Sequence, residues 1–226
     1  MMLGSLTFED DCTTVRERYA ETGGRDARVI EFSGVVLGEH TAGAIEDRLD
    51  AVLAAASDAD YGTPLSLRPG RRLWVRRAAF TRETAADRLV GSFELRLEAR
   101  DPFEESVEEK VVAWPVSASG ATQAVAVHGN AEALPVITMT ALGDVVRPQF
   151  SDGVRTLRYD GVVPDGSALV LDTAAGLATL DGEDVTAYTE GRFVRLTPSA
   201  ALLTYADDDA SSHSAAVMVA FRDRWW

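Results

Sequence analysis

The chain of 226 residues holds one cysteine, Cys12, and one lysine, Lys110. A lone cysteine excludes an internal disulfide and any zinc site built on several thiolates. Long apolar runs are also missing. None approaches the ~20 residues a helix needs to cross a bilayer, so no membrane insertion is expected. The start, Met1-Met2-Leu3-Gly4-Ser5 and then Phe8-Glu9-Asp10-Asp11, has neither the basic stretch nor the apolar segment of a secretory leader, and none is expected. Histidines are few and scattered, at His40, His128 and His213. No Gly-x-Ser-x-Gly elbow surrounds a serine, and no phosphate-binding glycine loop is present. Asp207-Asp208-Asp209 lacks the spacing of a calcium loop and reads as a solvated hairpin tip. Glu104-Glu105 with Glu108-Glu109 reads as a wet linker. His213, in a polar loop, reads as solvated, and His128 as a hydrogen-bonding residue in a strand. Among 36 acidic residues some pair always lies close, so paired carboxylates carry no information about glycoside hydrolysis. The expectation is no catalytic, cofactor or metal site, and no enzyme.

Acid is what the chain has in excess. Lys and Arg together number 22 against 36 Asp and Glu, a net charge of -14. Such a surface repels phosphate backbones, so nucleic-acid recognition is not expected. With a single lysine, the basic residues are almost all arginine. Codon bias toward G and C produces that pattern. High salt also produces it, because there an acidic, lysine-poor surface stays hydrated and its self-repulsion is screened.

Period-two alternation dominates the rest. Gly91 to Ala99 places Phe93, Leu95 and Leu97 on one face and Glu94, Arg96 and Glu98 on the other, a half-buried strand. Arg28 to Ser33 and Arg72 to Arg76 alternate in the same way. Between Thr41 and Ala56 the spacing changes. Ile45, Leu49, Val52, Leu53 and Ala56 fall three and four apart, which predicts one amphipathic helix with Thr41 as N-cap. After about residue 105 short strands recur between turn signals such as Ser151-Asp152-Gly153, Asp160-Gly161 and Asp181-Gly182. Among the expected strands are Val107 to Val116, Thr122 to His128, Val145 to Phe150 and Arg192 to Leu196. The fold class is mainly β: an α+β domain with one helix over 1–116, then an all-β sandwich over 117–226.

Two features suit contact with protein. Arg68, Arg71, Arg72, Arg76 and Arg77, with Trp74 among them, form a basic island in an acidic chain, matched to an acidic surface such as another copy. Trp225 and Trp226 end the chain, and paired tryptophans pack on a core or sit in an interface.

The order of these features resembles the distal tail proteins (Dit-like) of long-tailed, siphovirus-type viruses. The Arg28 to Gly34 stretch, the single helix, the strand through Trp74, and Gly91 to Ala99 running into Asp101-Pro102-Phe103 are similar to the family's first domain. Gly129-Asn130 followed by Pro135-Val136-Ile137, Gly166 to Asp172, and Phe193 to Pro198 are similar to its second. Pro198-Ser199 departs from the usual Pro-Gly. The resemblance implies a structural virion protein: a homo-hexamer ring at the distal tip of the tail, assembled in the host cytoplasm. It implies that the first domain forms the ring. It also implies a galectin-like second domain, with the tail tube protein, tail hub or tip and receptor-binding proteins as partners. Carbohydrate contact by the second domain is the further expectation. A ring contact is heterologous and needs two different patches. Arg71, Arg72, Trp74 and Arg76 are one candidate, the helix carboxylates Glu46, Asp47 and Asp50 the other, and Trp225 and Trp226 are candidate partner contacts. The acid excess adds the expectation of a salt-loving host, a haloarchaeon. Other readings are a carbohydrate-binding module, which the second half alone would satisfy, and a tail tube or hub subunit.

Overall fold

A computed structural model describes residues 1–8, 13–22, 25–37, 39, 41–85, 89–199 and 201–226. Cys12 and His40 lie outside them. Among the described residues strand makes up 53% and helix 8%, so the chain is mainly β. It divides into two compact units, Met1–Val107 and Glu108–Trp226. The break falls nine residues before the boundary expected after 116. The reason is pairing: Lys110–Val116 bonds along its length to Ala215–Phe221 and so belongs to the second unit.

The first unit begins with short strands β1 (Met2–Leu3) and β2 (Leu6–Thr7), then the long hairpin β3 (Thr13–Thr22) and β4 (Arg25–Val36). Helix α1 (Ala42–Ala54) follows, then β5 (Thr63–Ser66), β6 (Arg71–Thr84), β7 (Gly91–Ala99) and β8 (Glu104–Ser106). The main sheet runs β2-β1-β5-β6-β7-β4-β3, with β8 on the first residues of β6. The helix starts where its cap chemistry dictates. Thr41 is extended, and its Oγ1 accepts the Ala44 N–H at 3.2 Å. Ile45, Leu49 and Val52 are buried on one side, against Phe32, Leu95 and Phe93 of the sheet. A Cβ on Gly91 would lie 2.8 Å from the Ile45 side chain, so the helix sits directly on the start of β7. The register of β6 on β7 slips between Arg77 and Ala79, a bulge that increases local twist.

In the second unit β9 (Lys110–Val116), β10 (Thr122–Val125) and β11 (Val136–Ala141) come first. They are followed by β12 (Val145–Val146), β13 (Gln149–Ser151), β14 (Thr156–Tyr159) and β15 (Val162–Val163). Next are β16 (Ala168–Asp172), β17 (Leu177–Leu180), β18 (Glu183–Asp184) and β19 (Thr189–Gly191). Last come β20 (Ala201–Ala206), β21 (Ala215–Phe221) and the short β22 (Arg224–Trp225). One sheet has the order β10-β20-β13-β14-β19 and the other β18-β17-β16-β11-β21-β9. They share one apolar core centred on Trp114, Phe150 and Tyr205, whose rings meet edge to face at 5.6–6.5 Å.

Some strands differ from expectation. Val145 to Phe150 splits in two because Arg147 takes a left-handed φ of 51° just before Pro148, and its halves join different sheets. Arg192 to Leu196 is not a strand; it makes a single bridge, Leu196 with Ala133. The strand expected to reach His128 stops at Val125. Conversely β6 runs on to Thr84, eight residues past Arg76.

Candidate functional site

Alternation builds a four-stranded wall, β6-β7-β4-β3, whose two faces differ. One face is apolar and carries α1. The other presents rows set by the register. Thr14, Ser33, Glu94 and Thr81 lie side by side, and next to them Arg16, Glu31, Arg96 and Ala79. These rows line two open hollows of about 620 and 410 Å³. Their charges alternate in sign along the second row, and Arg18 adds an ion pair to Glu31 at 3.2 Å.

Both borders of this wall are unpaired among the described residues. β3 bonds to β4 along its whole length and to no strand on its other side. β6 is covered by β5 only from Leu73 to Val75, and the Arg77 N–H donates to Ser57 O at 2.7 Å. From Ala79 to Thr84 its only strand neighbour is β7, and all of these residues but Phe80 are exposed. Two long open edges therefore flank one sheet on opposite sides. Each is a row of backbone donors and acceptors ready to pair with another strand.

The arginine island is answered from within its own unit. Arg28, 1% exposed, is held by Glu17 and by Glu104, with Nη2 3.2 Å from Glu104 Oε1, and donates to Pro102 O. Glu104 is itself buried and also takes Arg68 and, at 3.6 Å, Arg71. Glu105 accepts from Arg72 Nε at 2.8 Å and from the Trp74 indole N–H at 2.9 Å, while the Arg72 guanidinium lies over the Trp74 ring. Arg76 pairs with Glu98 at 3.2 Å and Arg77 with Asp58 at 3.1 Å. The pair Glu104-Glu105 is therefore not a wet linker: it is the counter-charge of the island. Sequence reasoning missed this because the partners sit more than thirty residues away. On the helix, Glu46 and Asp50 both face Arg82, and Asp47 is exposed. The structure thus gives the island and the helix carboxylates separate partners and does not bring them together within one chain.

In the second unit the Gly129-Asn130 motif receives the end of the chain. Asn130 and Ala131 N–H both donate to Arg224 O, and Asn130 Oδ1 accepts the Trp226 N–H at 2.7 Å. A Cβ on Gly129 would fall 2.0 Å from Arg224 O, so only glycine fits. Trp226 remains half exposed.

Three acidic residues organise loops there. Asp207 is not solvated as its triplet suggests. Its carboxylate is fully buried, bonded to Tyr205 Oη and to His213 Nδ1, both at 2.8 Å. Burial first, and then the hydrogen bond and charge of Asp207, push the Tyr205 phenol far up. His128 is exposed, with Nδ1 2.9 Å from Lys110 Nζ. Burial pushes the Asp152 carboxyl up, but the N–H groups of Arg195, Arg155 and Val154 and the Arg155 guanidinium outweigh it and hold the carboxyl below its usual range. Glu132 is held low in the same sense by Arg195 and Arg155, against its own burial.

Both folded values lie below the unfolded ones. Their stabilisation is therefore complete above about pH 5. It is lost as pH falls through the lower folded values. Urea midpoints followed from pH 6 to pH 3 are expected to fall at the acid end in the wild type. Asp152→Asn is expected to start lower and to depend less on pH.

Among the described residues no group of three His, Cys, Asp or Glu side chains is placed to hold a metal. Of the tyrosines in the second unit, Tyr159 and Tyr205 are buried and Tyr188 is exposed.

Residues 128–225 match the family model described as the siphovirus-type tail component, C-terminal domain. The match begins at the motif that clasps the chain's end. Among solved structures, the SPP1 Dit protein superposes with a TM-score of 0.67 at 15% identity, over 94% of this chain and 89% of that one. That protein is described as a paradigm of the hub adsorption apparatus in Gram-positive-infecting phages. No curated protein matches the sequence.

Proposed function

Starting from a chain with the fold of a Dit protein and a siphovirus-type tail-component domain over residues 128–225, we propose that it closes into a homo-hexameric ring at the distal end of a tail tube. The supporting observation is the pair of open edges, β3 and the far half of β6, on opposite sides of one sheet. Edge β3 of one copy adds to edge β6 of the next. The contact is heterologous, and closing it into a cylinder removes both of these open edges. The face free of α1, with its rows of Thr, Ser, Arg and Glu, then lines the bore. The ring contact is assigned to these edges rather than to Arg71, Arg72, Trp74 and Arg76 against Glu46, Asp47 and Asp50, because most of those side chains already have partners in their own unit.

In this reading the protein is structural and not an enzyme. The ring joins the tube protein to the hub or tip and receptor-binding proteins, and the half-exposed Trp226 is offered to one of them. The acid excess fits assembly in a salt-loving host, since six subunits of charge -14 repel one another until salt screens them. Light scattering on the eluting peak of a sizing column tests both points. A discrete ring-sized species in molar salt that dissociates in dilute buffer is expected. A monomer at every salt concentration would count against the ring, and a ring that survives dilute buffer would count against the salt-loving host.

A further inference from the structure

One sheet face of the second unit breaks with the composition of the chain. Charged residues make up 26% of the sequence. Yet across β17, β16, β11, β21 and β9 the outward-facing positions carry a single charge, Asp172, and β18 at the sheet's edge adds Asp184 opposite Thr179. The register places Met218 between Ala113 of β9 and Thr138 of β11, with Ala216 and Ala220 beside it on its own strand. Met218 is 50% exposed and Val111 58%. The face is a floor of Ala, Thr and Val side chains from which Met218, Val111 and, on β17, Leu177 stand out.

We propose that this face pairs with the same face of a second copy. Three observations select that occupant. The first is charge. Two chains of net charge -14 repel wherever their acidic surfaces approach, and here they meet with almost no charge. A charged partner would bury its ions against a face that offers nothing to answer them. The second is shape. A Met knob set among alanines is self-complementary under a two-fold axis offset from the knob: Met218 of one copy seats beside that of the other, over Ala113 and one flanking alanine, and methionine adapts to such a fit. No aromatic side chain lies on the face, so a sugar has no ring to stack on. The third is area. Five strands about 4.8 Å apart and three rows about 6.8 Å apart span roughly 20 by 20 Å with side-chain margins. Two such faces bury on the order of 800–1,000 Å² in total, the low end for specific contacts. The pairing is therefore weak between single chains and is strengthened when several copies engage together.

Sedimentation equilibrium of the full chain from about 1 μM to about 1 mM tests this pairing. A concentration-dependent doubling of mass is expected, made tighter by added salt. Met218→Glu and Ala113→Glu, both at exposed positions, are expected to weaken it tenfold or more, and Met218→Leu to retain it. Doubling that is undiminished in the two Glu variants overturns the proposal, as does its absence up to about 1 mM. The ring reading fails separately. Blocking the β6 edge removes the ring and leaves the doubling, whereas the Glu variants remove the doubling and leave the ring.

Discussion

Proline placed in the far half of β6 is expected to turn the ring into monomers. Thr81 and Arg82 are adjacent, so their N–H groups point to opposite sides of the strand: one bonds to β7 and the other faces the open edge. Proline removes the donor at its own position and tolerates an edge strand. Of Thr81→Pro and Arg82→Pro, the variant that loses the outward N–H keeps its ladder to β7. It should elute at monomer mass with a melting curve close to wild type. Its neighbour breaks the β6-β7 ladder and should melt earlier, so the pair separates lost assembly from lost folding. Ring formation by both variants at wild-type concentration would remove the edges from the contact. The effect is large because every junction in a closed ring uses the same edge, and one substitution is repeated around the circle.

The second large effect belongs to Glu104. Its buried carboxylate faces Arg28, Arg68 and Arg71, with Glu17 the second acid in the cluster. Glu104→Ala removes the buried carboxylate that Arg28, Arg68 and Arg71 share, with Arg28 almost wholly out of water. Removing one partner of a buried pair costs about 3–5 kcal/mol. For a unit of this size that lowers the melting temperature by about 10–20 °C. Arg28→Met is expected to cost less. It removes the desolvated charge along with its partner's obligation, fills similar space, and leaves two carboxylates with two exposed-side arginines. Equal losses in the two variants would show that packing, not charge balance, sets the stability of the cluster. Differential scanning calorimetry of the three proteins makes the comparison.

These two sites differ in how far the sequence discloses them. Helix α1 was legible because its signals are local: Thr41 caps it, and Ile45, Leu49 and Val52 mark the buried stripe. Strand β7 was legible for the same reason, a strict alternation with one face buried. The far half of β6 was not. Ala79 to Thr84 is largely exposed on both faces, so no apolar rhythm marks it as strand, and its extent rests on pairing with β7. The break inside Val145 to Phe150 turned on one left-handed residue before a proline, which the apolar pattern hides. The arginine island was visible as a cluster. Its neutralisation was not, because Glu98, Glu104 and Glu105 reach it only through tertiary structure. An open edge is the hardest feature to read, since it consists of what does not lie beside a strand.

Strand order in the larger sheet of the second unit also sets a timetable for synthesis. β9 joins that sheet only through β21, about 100 residues later in the chain, and β21 also lies between β9 and β11. A chain still on the ribosome already holds β1 to β8, which all lie within residues 1–107. The larger sheet of the second unit must wait until β21 has been made, and the Gly129-Asn130 clasp until Arg224 and Trp226 have followed. A chain cut before β21 leaves the larger sheet in two pieces, with β9 unpaired and open to aggregation.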